Sequence, residues 1–397
     1  MRAPLLVVAT IGLAVPFGAS ACRGTALGNA PSIPTAEVAA VSAKGPAVGA
    51  HPSRGACAPE AARPYVAPET ARMLPTPPPL ETVGLAWKVF GVWEGTTSTP
   101  YSRGAMSDVW ASGADVFVAG DGLFLHSEDR GRTFGTYTVP NPPFSIAGSE
   151  LHDLYVLGGR TVSHSGDVAK TWSVDDAFPE DAWVRAATAD GADIYAVGSH
   201  IDGRTLAWHS NDYGHAWTPS SITMPRVTFT DVAVRNPDKP DSDVFFVGYE
   251  ETNLLVVLRS SDCGASFSRI SPPLRSVEAE RPVRICFSRG GRIVLALAHM
   301  ILTSDDDGAT WKKRKKFDRE LLALACRGDD VLVGGRLLPL EESDDAGETF
   351  HRAIPSLVGD DLEIRKIFFT DAGDTYAVGG TTRTSPTSGV FFRRLAR

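Results

Sequence analysis

Residues 127–134 read SEDRGRTF, and variants of that octet follow as SGDVAKTW at 165–172, SNDYGHAW at 210–217, SSDCGASF at 260–267, SDDDGATW at 304–311 and SDDAGETF at 343–350. Six copies mean that one structural unit recurs, so the repeat has to be read before any single element. Its third position is held by Asp129, Asp167, Asp212, Asp262, Asp306 and Asp345. A carboxylate there can accept backbone N–H bonds within a tight turn, and Gly131, Gly214, Gly264, Gly308 and Gly347 permit positive φ. Ala169 replaces that glycine once, which predicts a looser turn. The closing aromatics Phe134, Trp172, Trp217, Phe267, Trp311 and Phe350 are suited to packing between sheets. The octet therefore reads as construction, and its aspartates as structural rather than catalytic.

A second repeat lies upstream of the octets: DVFVAG at 115, DLYVLGG at 153, DIYAVGS at 193, DVFFVGY at 243, RIVLALA at 292, DVLVGGR at 330 and DTYAVGG at 374. Each is a short apolar run after a polar turn, and most end at a glycine, as expected for a strand buried on both faces. Another apolar run precedes each copy and two more follow it. Six such units of strand, turn, strand, strand, octet and strand, with a seventh of three strands and no octet, predict an all-β seven-bladed β-propeller with four-stranded blades over 83–397. The last unit, ending GVFFRRL at 389–395, lacks a fourth strand, and LAWKVFGVW at 85–93 lacks a sheet. Pairing the two closes the ring with an N-terminal strand and removes the open edges.

The octet resembles the Asp-box, or bacterial neuraminidase repeat, of sialidases, sortilin-type receptors, photosystem II assembly factors and several glycoside hydrolases. That resemblance covers most of 83–395 and implies a propeller. It implies little about activity, because function resides in sites grafted on folds. In the resembling enzymes the active site is on the face where the innermost strands begin, opposite the octets.

Of 397 residues, 43% are hydrophobic and 22% charged, with 39 Lys+Arg against 47 Asp+Glu, a mildly acidic balance that argues against a nucleic-acid partner. Residues 1–21 read as an export signal: Arg2, an apolar stretch from Leu5 to Val15, and small residues Ala19-Ser20-Ala21 before Cys22. ASAC resembles a bacterial lipobox with Ala19 in place of the usual leucine, so Cys22 is the expected lipidation site of an envelope lipoprotein; plain secretion is the alternative. Residues 22–82, rich in Ala and Pro, read as a disordered tether from membrane to fold. Cys57, Cys263, Cys286 and Cys326 remain, and in an oxidising compartment they allow three disulfide connectivities or isolated thiols.

Counting back eight residues from the starts of the second strands puts Ser107, Ser145, Arg185, Arg284 and Leu322 at comparable places near the channel, and Arg365 joins them at nine if its turn holds one extra residue. Arg185, Arg284 and Arg365 are the candidate site, because converging guanidiniums bind a carboxylate or other anion bidentately. The arrangement resembles the arginine triad of sialidases, but no RIP tripeptide and no placeable Tyr and Glu pair accompanies it. Loop carboxylates Asp175, Asp176, Glu180, Asp181, Glu278, Glu280, Asp360, Asp361 and Glu363 read either as solvated charges paired with arginines or as glycosidase acids, which must face each other across roughly 5 to 10 Å. Tyr101, Phe178 and Trp183 either stack on sugars or cover blade seams. KKRKK at 312–316 falls on an outermost strand, where lysines discourage edge pairing; an anionic-surface patch is the other reading. DDDG at 305–308 offers no calcium loop, since Lys316 stands where the bidentate Glu is needed. No catalytic residue, metal or cofactor is therefore expected. The favoured function is a monomeric, non-catalytic platform for an envelope protein or glycan, and the alternative is a sialidase-like or other glycoside hydrolase acting on an acidic sugar.

Overall fold

Each second strand is apolar on both faces, and this dictates the architecture. In Asp115–Gly120, Val116 and Val118 pack on one side with Val378 and Phe391, while Phe117 and Ala119 pack on the other with Ile146, Leu154 and Trp172. Alternation with period two sends successive side chains to opposite neighbours, so the sheet is satisfied only between two others. The computed structural model describes residues 65–66, 81–83 and 87–94, and residues 105–396 apart from 121–122, 138, 140–144, 221, 223, 225, 236–242, 253, 263, 273, 275–281, 354–361 and 382–387. The expected export signal, Cys22, Cys57, Cys263 and nearly all of 22–82 fall outside those residues.

Seven antiparallel sheets form a ring, a seven-bladed β-propeller. The innermost strands of blades 1 to 7 are Met106–Ser112, Ser145–Glu150, Ala182–Asp190, Val227–Arg235, Pro282–Phe287, Leu321–Arg327 and Leu362–Phe369. The hydrophobic core is divided into seven clusters, each shared by two adjacent blades. Blade 7 takes its fourth strand from Trp87–Glu94, which pairs with Ser388–Arg394 so that Val89 faces Phe392 and Phe90 faces Phe391. That is the closure the orphan strand suggested. Two short strands also come from the stretch assigned to the tether: Glu81–Val83 extends blade 7, and Tyr65–Val66 pairs with Thr171–Asp175 of blade 2. KKRKK forms the outermost strand of blade 5, with Lys315 paired to Glu341 at 2.5 Å.

The octets are tight turns at the face where innermost strands end. In blade 1, Asp129 Oδ1 accepts the amides of Arg132 and Thr133, both at 2.8 Å, and Oδ2 accepts the Thr133 hydroxyl at 2.7 Å. The leading serine matters as much: buried Ser127 accepts the Gly131 amide at 2.8 Å and donates to Asp129. Ser165, Ser210, Ser260, Ser304 and Ser343 do the same. Two consecutive residues take positive φ, as in Asp307 (57°) and Gly308 (89°). Ala169 corrects the expectation of a looser turn: it adopts φ 61°, its amide reaches Ser165 Oγ at 2.9 Å, and Thr171 still bonds Asp167. The serine and aspartate bonds offset the left-handed strain, which is roughly 1–2 kcal/mol for a residue with a Cβ. The closing aromatics reach back to the preceding blade, as Phe134 does to Phe391 in an edge-to-face contact at 5.0 Å.

Two octet glycines separate strain from crowding. A Cβ on Gly347 (φ 85°) meets nothing nearer than 3.7 Å, whereas one on Gly308 lies 2.8 Å from the Cβ of Ile270. Gly347→Ala is expected to cost about 1–2 kcal/mol by urea denaturation, and Gly308→Ala clearly more; equal losses would rule out the contact with Ile270.

Acid should loosen the same turns. At Asp345 partial burial opposes ionisation, but the Thr349 hydroxyl and amide, the Ser343 hydroxyl and the Glu348 amide outweigh it and bring the carboxyl down to about 2. Asp129, Asp167, Asp262 and Asp306 are also lowered. A depressed carboxylate stabilises the fold above its unfolded value of 3.8 and loses that contribution as pH falls through about 2. Melting temperature is expected to drop between those two pH values, less steeply in Asp345→Asn; an unchanged slope in the variant would refute the assignment.

Candidate functional site

The site begins with a defect in strand pairing. In blades 1, 3, 4, 5, 6 and 7 the innermost strand slips by one residue against the second strand, skipping Ser107, Arg185, Thr230, Val283, Leu322 and Arg365. A bulge re-aims the extra side chain. It also brings the two backbones together, which explains the glycines that end the second strands. A Cβ on Gly198, Gly335 or Gly379 would lie 2.0, 1.9 or 1.8 Å from the carbonyl oxygen of Trp183, Glu320 or Glu363.

At the face where the innermost strands begin, hereafter the start face, Ser107, Arg185, Thr230, Leu322 and Arg365 border one hollow of about 470 Å³. Trp183, Tyr249, Arg284, Glu320, Arg336 and Glu363 also border it. The three sequence-predicted arginines are thus brought to one place, but not in one register. Arg284 pairs with Ala296 one residue beyond the slip, so the blade 5 counterpart of Arg185 and Arg365 is Val283. The cause is the turn Arg289–Gly291, which makes the connection from Phe287 to Ile293 one residue longer than that from Ala111 to Val116. Ser145 is likewise displaced: it is buried and donates to Asp108 at 3.0 Å.

Beneath the hollow, charged residues cross the channel in a layer. Asp108 of blade 1 accepts the Ile146 amide of blade 2 at 3.0 Å and pairs with Lys366 of blade 7 at 3.3 Å. Asp231 of blade 4 accepts the Ile285 amide of blade 5 at 2.9 Å. Burial pushes the Asp231 carboxyl above its ordinary value, against the nearby charges of Arg284 and Lys366. In the hollow itself Glu363 is held by Arg365 and lies 3.6 Å from Arg336, which also pairs with Glu320 at 3.3 Å. Among the described residues, four guanidiniums against two carboxylates make the lining cationic. Arg336 was missed in the sequence because it comes from the turn after the second strand of blade 6, where its bridge to Glu363 is a contact between blades.

The other candidates separate clearly. The six octet aspartates border neither this hollow nor one another's turns. Asp176 and Glu180 pair with Arg160 at 3.2 and 3.1 Å, and Asp181 with Arg204 at 2.7 Å, rather than with the channel arginines. Phe178 is buried against Trp208 and Trp217 and covers a seam, whereas Trp183 is exposed. Tyr101, Glu278, Glu280, Asp360 and Asp361 lie outside the described residues. Among the described residues no group of His, Cys, Asp and Glu is arranged to hold a metal.

Below the charged layer the channel widens to about 910 Å³, bordered by Trp110, Val232, Phe287 and Phe368. Cys286 and Cys326, in the innermost strands of blades 5 and 6, form a disulfide on its wall. It closes a loop of sequence separation 40, for which the chain-entropy relation gives about 4 kcal/mol. Cys286→Ser with Cys326→Ser is expected to lose about 2–4 kcal/mol in urea; an unchanged midpoint would show that the bond does not constrain the ring.

No family model matches the chain, and no curated protein matches it. Solved structures do. YCF48 bound to D1 peptide superposes with a TM-score of 0.58 at 15% identity, over 79% of this chain and 96% of that one. The Niastella koreensis GH74 enzyme gives 0.54 at 12%, over 75% of this chain and 55% of that one. BBS1N in complex with ARL6DN gives 0.52 at 13%, over 77% and 98%. At these identities the likeness is one of fold: the chain is a seven-bladed β-propeller with a cationic hollow at its start face.

Proposed function

We propose that this propeller is a non-catalytic binding platform that receives an acidic group of a protein or glycan in the start-face hollow. The observation that carries the reading is the convergence of Arg185, Arg284, Arg336 and Arg365 around one concavity that, among the described residues, Glu320 and Glu363 oppose. Desolvated guanidiniums bind carboxylates through paired, charge-assisted hydrogen bonds. A rigid ring with loops at its face is a suitable platform, and two fold neighbours are described with a bound peptide and a bound protein. In this reading the chain is exported and anchored through lipid at Cys22, with secretion as the alternative.

Glu320 and Glu363 support a second reading, a glycoside hydrolase, since both border the hollow and one fold neighbour is a GH74 enzyme. Against it, both carboxylates are engaged by guanidiniums, whereas a glycosidase needs its acid and its nucleophile or base presented to the substrate.

The test uses the full chain with fluorogenic glycosides, a sialoside among them, and in parallel a fluorescein-labelled hexaglutamate peptide followed by anisotropy. No turnover is expected, together with salt-sensitive peptide binding that Arg185→Ala weakens about tenfold, the equivalent of 1.4 kcal/mol. Turnover abolished by Arg284→Ala would make the hydrolase the correct reading, and peptide binding indifferent to Arg185→Ala would remove the hollow as the site.

A further inference from the structure

Among the described residues the exposed large apolar side chains are Val174, Trp183 and Ile201, and all lie towards the start face in blades 2 and 3. Single exposed apolar residues are ordinary, but here they fall in two adjoining blades, and one of them borders the hollow. Trp183, 50% exposed, borders the cationic hollow together with Arg185 and Tyr249. Ile201, 78% exposed, follows two residues after Ser199, the strand partner of Trp183. Ile201 stands in the turn that follows the strand, and its amide bonds Asp181 two residues before Trp183, so both residues lie at one end of blade 3.

Ile201 is not carried on a slack loop. Its amide donates to the Asp181 carbonyl at 2.8 Å, the His200 amide to Arg204 at 2.9 Å and the Gly203 amide to His200 at 3.0 Å. Arg204 bridges Asp202 at 2.6 Å and Asp181 at 2.7 Å, and His200 Nδ1 meets Asp181 Oδ1 at 2.9 Å. These bonds cross-tie the turn and hold an aliphatic side chain out in water, a hydration cost that a partner would relieve. A pre-ordered apolar side chain at the same end of the blade as an aromatic that borders a charged hollow suits a partner's apolar residue, because its ordering cost is already met.

We propose that Trp183 and Ile201 form the apolar anchor of this site, and that its occupant is a peptide segment of a partner protein in which a large apolar residue stands next to an acidic one. This rests on the binding reading of the hollow. The cationic wall selects the acid by charge complementarity, and Trp183 with Ile201 selects the apolar neighbour. An acidic glycan satisfies the first requirement only, having no large aliphatic group to cover Ile201.

A displayed library of random twelve-residue peptides is selected on the immobilised full chain, on Trp183→Ala, on Ile201→Ser and on Arg185→Ala, with thermal melts confirming that each variant is folded. The wild-type chain is expected to enrich peptides with a large apolar residue adjacent to Asp or Glu. Trp183→Ala and Ile201→Ser are each expected to lower that pairing about tenfold while acidic peptides remain enriched; Arg185→Ala should deplete the acidic peptides. Enrichment of acidic peptides with no apolar preference, or a preference that survives both substitutions at the anchor, overturns the anchor and leaves the hollow standing. No enrichment, with sialyllactose titrating in an Arg185-dependent way, assigns the hollow to a glycan and overturns the peptide. No enrichment and no sialyllactose binding overturns both the anchor and the hollow.

Discussion

Burial of the second strand on both faces is the constraint from which the ring follows. A Val or Phe side chain transferred from water contributes roughly 1.5–3 kcal/mol, and in Asp115–Gly120 such side chains are spent in both directions. No blade can satisfy both faces alone, so each neighbour must itself be flanked until the sequence of blades closes. The seven interblade clusters are the product of that rule. Trp87–Glu94 supplies the closing pairing by binding Ser388–Arg394 from the far end of the chain. The octets complete the contact: serine and aspartate hold the left-handed turn, and the aromatic returns to the blade before it.

The same ring builds the hollow through a local departure from regular pairing. Glycine at 198, 335 and 379 lets the innermost strand bulge against the second strand, and the extra residue is directed at the channel. In blades 3 and 7 that residue is arginine, in blade 6 leucine, and in blades 1 and 4 serine and threonine. One backbone device thus offers six positions whose chemistry is set by side-chain choice. The Asp108, Lys366, Asp231 and Arg284 layer beneath joins neighbouring blades and gives the hollow a charged floor. Clustered positive charge at the mouth is compatible with folding because Glu363 and Glu320 neutralise part of it.

Much of this was legible in the residues. The octets, the two-faced apolar strands and the strand without a sheet specified seven blades and their closure, because each depends on short-range periodicity and turn chemistry that neighbouring residues encode. Counting also found Arg185 and Arg365 correctly. It misplaced Arg284, because the count allows an extra residue in the turn after Arg365 but not in the one at Arg289–Gly291, which also holds one. The looser turn expected at Ala169 failed for a related reason: Gly is preferred at positive φ, yet the hydrogen bonds of Ser165 and Asp167 hold an alanine there.

What the linear chain specified is therefore the unit and its number, since period-two burial and turn bonds act within about fifty residues. What required the folded ring is everything that joins distant blades. Arg336 reaches Glu363, Asp108 meets Lys366, and Cys286 bonds Cys326. Trp183 borders the hollow, and Ile201 stands exposed at the same end of blade 3. Those relations arise only when loop-closure entropy has been overcome and seven sheets face one channel, so no local pattern records them.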